Sequence, residues 1–174
     1  MLQLKQDAEK DLEYIFKEEI SVYKSLLLLE GNKKESILKS DGKELESATK
    51  QISHLLSVAS EVEKRRKRAL EQFFADRNIL PESENIILSE FLSKIEEERK
   101  STFVVLAEDL RKVVLDLRDI VLINEKLLQA KQEIFQLSME ALKVASGSQI
   151  EVSYEGSNHK LNRPRTSVIL NAKA

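Results

Sequence analysis

The chain has 174 residues, enough for one domain or at most two, with 33% charged residues, 5% aromatic residues, four glycines and two prolines. That balance favours long helices over sheet or irregular loops. Its 28 basic and 30 acidic residues leave a net charge of −2, which excludes a global field drawing it to nucleic acid or membrane, and the lack of cysteine excludes disulfides and thiol chemistry.

The opening residues Met1-Leu2-Gln3-Leu4-Lys5-Gln6-Asp7 lack the apolar centre of a signal peptide. No apolar run approaches the ~20 residues of a membrane span. The expectation is a cytoplasmic protein with no membrane insertion. A first helix is predicted over 3–39, because Leu4, Ala8, Leu12, Phe16, Ile20, Tyr23 and Leu27 step down one face. Ile15, Val22 and Leu26 widen that face. Within Leu26-Leu27-Leu28-Leu29, Leu28 is the excess residue and is expected to face another element. Gly31-Asn32 offers a stop, at about 1 kcal/mol for an interior Gly. A lone Gly is often tolerated, and the reading adopted here is continuation to Lys39.

Asp41-Gly42-Lys43-Glu44 reads as a tight corner, with Asp41 capping the next helix and Glu44 completing a capping box. That second helix, predicted over 43–77, has the cleanest register in the chain. Leu45, Ala48, Ile52, Leu55, Ala59, Val62, Arg66, Ala69 and Phe73 alternate steps of three and four, as in a coiled-coil seam. Arg66 is its one polar member, and its stem is expected to lie on apolar surface while the head reaches water. Arg77-Asn78 before Leu80-Pro81 is a stop. A shorter apolar piece follows, over 84–97, with Ile86, Ile87, Leu88, Phe91, Leu92 and Ile95. It ends in, or bends into, the next helix near Glu96-Glu97-Glu98-Arg99.

The stretch 101–146 has no Gly or Pro and is predicted as one long helix, about 69 Å at ~1.5 Å per residue. Phe103, Leu106, Leu110, Val113, Leu117, Ile120, Leu127, Ile134 and Leu142 form its main stripe, interrupted by Asn124, Lys131 and Ser138. Leu115 and Leu122 lie about 200° away. A helix apolar on two sides is either sandwiched within its own chain or offers one side to another protein. Gly147 then stops the helix. Ser, Asn, Gly and Pro dominate the tail to Thr166, where Ile150, Val152 and Tyr154 alternate like a short strand. The expected fold is all-α: an elongated antiparallel bundle of three to four helices over 1–146, with a long C-terminal helix and a flexible tail over 147–174.

No catalytic, cofactor-binding or metal constellation is legible. His54 and His159 are far apart, with no metal-ligand spacing around them. Glu96-Glu97-Glu98 splays by about 100° per residue, which suits a solvated face better than a cation site. Lys64-Arg65-Arg66-Lys67-Arg68 covers more than a turn, so it makes a collar and not a stripe. Glu61, Glu63 and Glu71 dilute it. The expectation is no enzyme, no cofactor and no nucleic-acid partner.

Tyr23, Leu26-Leu27, Leu29, Lys33, Ile37-Leu38, Asp41, Leu45, Leu55-Leu56, Glu63 and Arg65-Arg66 fall in an order that resembles the FlgN-type flagellar export chaperones. Asn124-Glu125-Lys126-Leu127-Leu128 is similar to that family's Asn-x-x-Leu-Leu signature. Tyr154-Glu155-Gly156, Arg163 and Ser167-Val168-Ile169-Leu170-Asn171 are similar to its tail. Val121 stands where members often carry a second Asn. The resemblance implies a cytoplasmic chaperone for the two hook–filament junction proteins, hook-associated proteins 1 and 3. It also implies passage of these clients to the cytoplasmic domain of the export gate, with no ATP or metal. It points to Tyr154 for gate docking.

The residues themselves place client binding on the C-terminal half of the long helix and the start of the tail. Leu127, Leu128, Phe135, Leu137, Leu142 and Val144 spread over more surface than one intramolecular stripe requires. Tyr154 has an alternative, folding back on the bundle through its alternation with Ile150 and Val152. Two other function classes stay open at this point. One is a homo-oligomeric coiled-coil scaffold built on the second helix, and the other is a nucleic-acid binder using the collar.

Overall fold

The computed structural model describes residues 2–80 and 88–146, with side chains for 8–80 and 89–145. Expectations for the side chains of Leu4, Ile86, Ile87 and Leu88, and for the tail over 147–174 with Ile150, Val152, Tyr154 and His159, lie outside the described residues. The described residues form four helices: α1 (Leu2–Lys39), α2 (Gly42–Ala75), α3 (Leu88–Lys94) and α4 (Glu97–Ser146). The described residues contain no strand.

α1 runs unbroken through Gly31. A methyl group at Gly31 would meet Ile120 Cδ1 at 3.9 Å, an ordinary contact, so the glycine is not there to make room for α4. The helix stops at Ser40, which takes a left-handed conformation (φ 56°). Ser40 N–H donates to the Ile37 carbonyl at 3.2 Å and Asp41 N–H to the Ser36 carbonyl at 2.9 Å. This is a Schellman closure with Ser in the place glycine usually takes. Asp41 Oδ1 then accepts from Lys43 N and Glu44 N, both at 3.1 Å. The Asp41 N–H is already engaged by Ser36, so the reciprocal half of the expected capping box is not made. Asn78 (φ 53°) closes α2 in the same way, with Ile79 N–H donating to Phe74 O at 3.0 Å.

The chain makes an up-down-up bundle. Arg65 of α2 pairs with Glu18, and Arg77, just past its end, with Glu9, so α2 returns antiparallel to α1. Phe103 of α4 meets Phe16, Asn124 meets Glu30 and Lys131 meets Ser40, so α4 repeats the direction of α1. α1 is the central helix, packed along both others. Every member of the predicted α2 seam is buried or half-buried, so the bundle itself consumes that seam.

Two layers of core hold the helices together. At the end where α3 lies, Phe16, Phe103, Phe91, Phe73 and Phe74 form a chain of edge-to-face rings. Successive centroids are 5.9, 5.0, 4.9 and 5.6 Å apart. Phe91 from α3 is fully buried between the α2 and α4 rings, which gives a seven-residue helix its place in the fold. Further along, Tyr23, Leu26, Ile52, Ala59, Val113 and Leu117 make the second layer.

The break before the long helix falls at Ile95-Glu96 and not at 97–101. Arg99 and Lys100 N–H both donate to the Glu96 carbonyl, at 3.0 and 3.1 Å, so α4 begins at Glu97. Glu97 and Glu98 thus form its first turn, where carboxylates are favoured by the positive end of the helix dipole. The acidic run opens the helix.

Candidate docking surface

Arginines from two helices converge on α1 carboxylates. Glu9 is buried between Arg77 Nη2 at 2.7 Å and Arg99 Nε at 3.7 Å, and Arg99 also bonds Glu13. The Arg77 guanidinium lies 3.6 Å from the Phe73 ring centroid. Burial still pushes the Glu9 carboxyl above its ordinary value, against Arg77 and with Glu96 adding to the rise. Arg66 Nε approaches the buried Glu19 carboxylate at 2.7 Å. The approach is not in line, and neither atom completes a hydrogen bond. Burial therefore dominates and raises Glu19, opposed by Arg66 and reinforced by Glu63. The neighbouring Tyr23 hydroxyl is pushed up to about 12, first by burial and then by Glu19 and Glu63. Arg66, expected to send its head to water, sets its Nε against Glu19 while its side chain stays 26% exposed.

Those pairs also dispose of the basic collar. Arg65 binds both Glu18 carboxylate oxygens at 2.9 Å, Arg66 faces Glu19, and Lys64 pairs with Glu61 at 2.8 Å. Three of the five collar residues are thus engaged by carboxylates, and two of its three arginines, Arg65 and Arg66, join α2 to α1. Among the described residues no group of His, Cys, Asp or Glu could hold a metal ion, and no helix is long and apolar enough to cross a membrane.

Leu28 does not face another element as expected. It is exposed on the rim of a shallow groove with Leu29, Leu55 and His54. Lys50 on its edge sits 2.6 Å from Glu46.

Among the described residues, exposed large apolar side chains are concentrated at the end of α4. Asn124 marks the last sealed layer: it is 1% exposed and wedged against α1. Its Nδ2 donates to Glu30 Oε2 at 2.7 Å and to the Glu30 carbonyl at 2.9 Å. Lys33 completes the layer, 3.5 Å from the same carboxylate. One turn on, Leu127 is half-buried. Lys131 Nζ then reaches Ser40 Oγ at 2.7 Å and the Leu38 carbonyl at 3.4 Å, level with the α1–α2 corner.

Past that corner α4 runs on for about 22 Å at ~1.5 Å per residue. Every side chain from 131 to 145 is exposed, and neither core layer of the described residues includes any of them. Phe135 is 62% exposed, Leu137 66%, Leu142 64% and Val144 83%, with Leu128 also exposed. Of the six residues expected to bind a partner, five are open to solvent and Leu127 is partly inside the bundle. Of the main stripe, Phe103 to Ile120 pack into the bundle, and bundle contact ends near Leu127. Ile134 and Met139 belong to the open surface too. Sequence reading missed them as contacts. Ile134 shares its stripe with Leu127, and only the length of α1 tells the two apart.

A model of the family described as FlgN protein matches residues 1–158. Neither the curated proteins nor the solved structures contain a match.

Proposed function

The chain belongs to the FlgN family of flagellar export chaperones, and we propose that it serves hook-associated proteins 1 and 3, the two hook–filament junction proteins. In this reading it holds their amphipathic C-terminal segments in the cytoplasm and prevents premature assembly. It then delivers them to the cytoplasmic domain of the export gate. The role is one of binding, without catalysis or a cofactor.

The observation that carries this reading is the open end of α4. An apolar helix surface of that length, projecting from a bundle, suits an incoming helix with apolar residues at three- and four-residue steps. Leu128, Phe135, Leu137, Leu142 and Val144 are the contacts, with Leu127 at the base. Tyr154 is the anchor for the gate. It lies within the family match, which extends to residue 158. A tyrosine brings a large rigid face and a polar hydroxyl at small entropic cost.

The test is calorimetric titration of the Phe135→Ala/Leu142→Ala variant with the C-terminal segment of a junction protein. Affinity should fall at least about tenfold, since each truncation removes roughly 1.5–3 kcal/mol of buried apolar surface, while circular dichroism is unchanged. Unchanged affinity with the fold intact places the client elsewhere. The scaffold alternative is weakened because the α2 seam on which it rests is filled from within the chain.

A further inference from the structure

The open end of α4 is apolar around more of its circumference than one neighbouring helix covers. At ~100° per residue, Phe135 and Leu142 lie within about 20° of each other, and so do Leu137 and Val144. The two pairs are about 160° apart. Ile134 and Ala141 fill the arc between them, and Gln132, Gln136 and Lys143 occupy the other side. These residues span an arc of roughly 180°, interrupted by Ser138, whereas a helix docked on one neighbour shows a stripe of ~100°.

Each seam continues a line already present lower on α4. The Phe135–Leu142 seam extends the line of Leu117 and Asn124, both buried against α1 and α2. An occupant there stands in line with α1, beyond the Ser40–Asp41 corner. The Leu137–Val144 seam extends the line of Leu115 and Leu122, both exposed.

Resting on the docking role proposed above, we infer that one client grips the end of α4 from both sides. It does so with two amphipathic helical segments, one on the Phe135–Leu142 seam and one on the Leu137–Val144 seam. A second copy of this chain is a poor occupant of the latter seam. Asp119, Lys126 and Glu133 interrupt it, and four scattered open side chains fall far short of the roughly 800 Å² per partner of a stable interface. A client segment already held on the first seam meets the second at high effective concentration, so a small contact suffices.

The full-length protein with Leu137→Gln/Val144→Gln is compared with Phe135→Gln/Leu142→Gln in calorimetric titrations. The probe is the C-terminal region of a hook–filament junction protein, and the mass and melting temperature of each free protein are measured in parallel. All four side chains are exposed and glutamine keeps helix propensity, so the fold should persist. Each pair should weaken the probe by about tenfold or more, with mass and melting temperature unchanged. Loss confined to the Phe135–Leu142 pair means a single-segment client and overturns the inference while leaving the docking role standing. Loss confined to the Leu137–Val144 pair overturns it likewise, and no loss at either seam overturns both readings. A drop in mass on changing Leu137 and Val144 makes a second copy the occupant, and a drop in melting temperature makes it the chain itself; either overturns the inference.

Discussion

Asn124 binds Glu30 twice, through the carboxylate at 2.7 Å and the main-chain carbonyl at 2.9 Å, with both residues buried. The pair sits where α4 leaves the bundle and fixes the level at which packing ends and open helix begins. Asn124→Ala removes the donor and leaves the Glu30 carboxylate with Lys33 alone, 3.5 Å away. Urea denaturation should show a loss of about 2–3 kcal/mol. Replacing both by leucine should recover most of it, because an apolar pair leaves no buried charge unpaired. A loss in the double variant as large as in Asn124→Ala would show that the site cannot accept two leucines.

Phe91 is the one aromatic ring that α3 contributes to the core, closing the gap between Phe73 and Phe103. Phe91→Ala should cost about 3–5 kcal/mol in denaturant titrations. It should also speed amide exchange at Leu92 and Ser93, while exchange around Leu117 stays slow. Uniform acceleration along α4 would mean that α3 holds the whole bundle and not one end of it.

Glu19 sets a pH dependence with a definite sign. Its carboxyl is raised by burial, against Arg66, so the folded state binds that proton more tightly than the unfolded chain. Its contribution grows as pH falls through the raised value toward 4.5 and is lost as pH rises. From about pH 7 down to about pH 4.5, the wild type should gain stability relative to Glu19→Gln. Glu13 moves the opposite way, lowered first by its hydrogen bond to Lys17, but it is common to both proteins and cancels. Parallel urea titrations at the two pH values decide the matter, and a difference that shrinks on acidification contradicts the assignment.

Tyr154→Ala separates gate docking from packing. In the proposed role, client affinity and melting temperature hold while the chaperone–client complex binds the export-gate domain more weakly. A fall in melting temperature or client affinity, with gate binding changed only in proportion, makes Tyr154 a packing residue.

The helices were legible in the sequence because their determinants are local. The three- and four-residue steps of Leu45 to Phe73 and the unbroken stripe from Phe103 required only periodicity, and the corner at Asp41 required one capping side chain. Boundaries that depend on a competing donor were not legible. The Asp41 N–H goes to Ser36 and not to Glu44, and α4 begins at Glu97, directly after the break. Tertiary structure also decided the charged residues. Arg66 looked like a snorkelling seam residue, and Leu28 looked like a contact to another element, because sequence spacing gives an angle around the helix but not what stands opposite. The site shows the same division. The apolar excess on the second half of α4 is a property of composition, visible in Phe135, Leu137, Leu142 and Val144. That Leu127 is half-covered while Ile134, on the same stripe, is bare follows from where α1 stops and from the Asn124–Glu30 contact that sets the α1–α4 register. Both are relations between residues about ninety positions apart, and no local pattern encodes them.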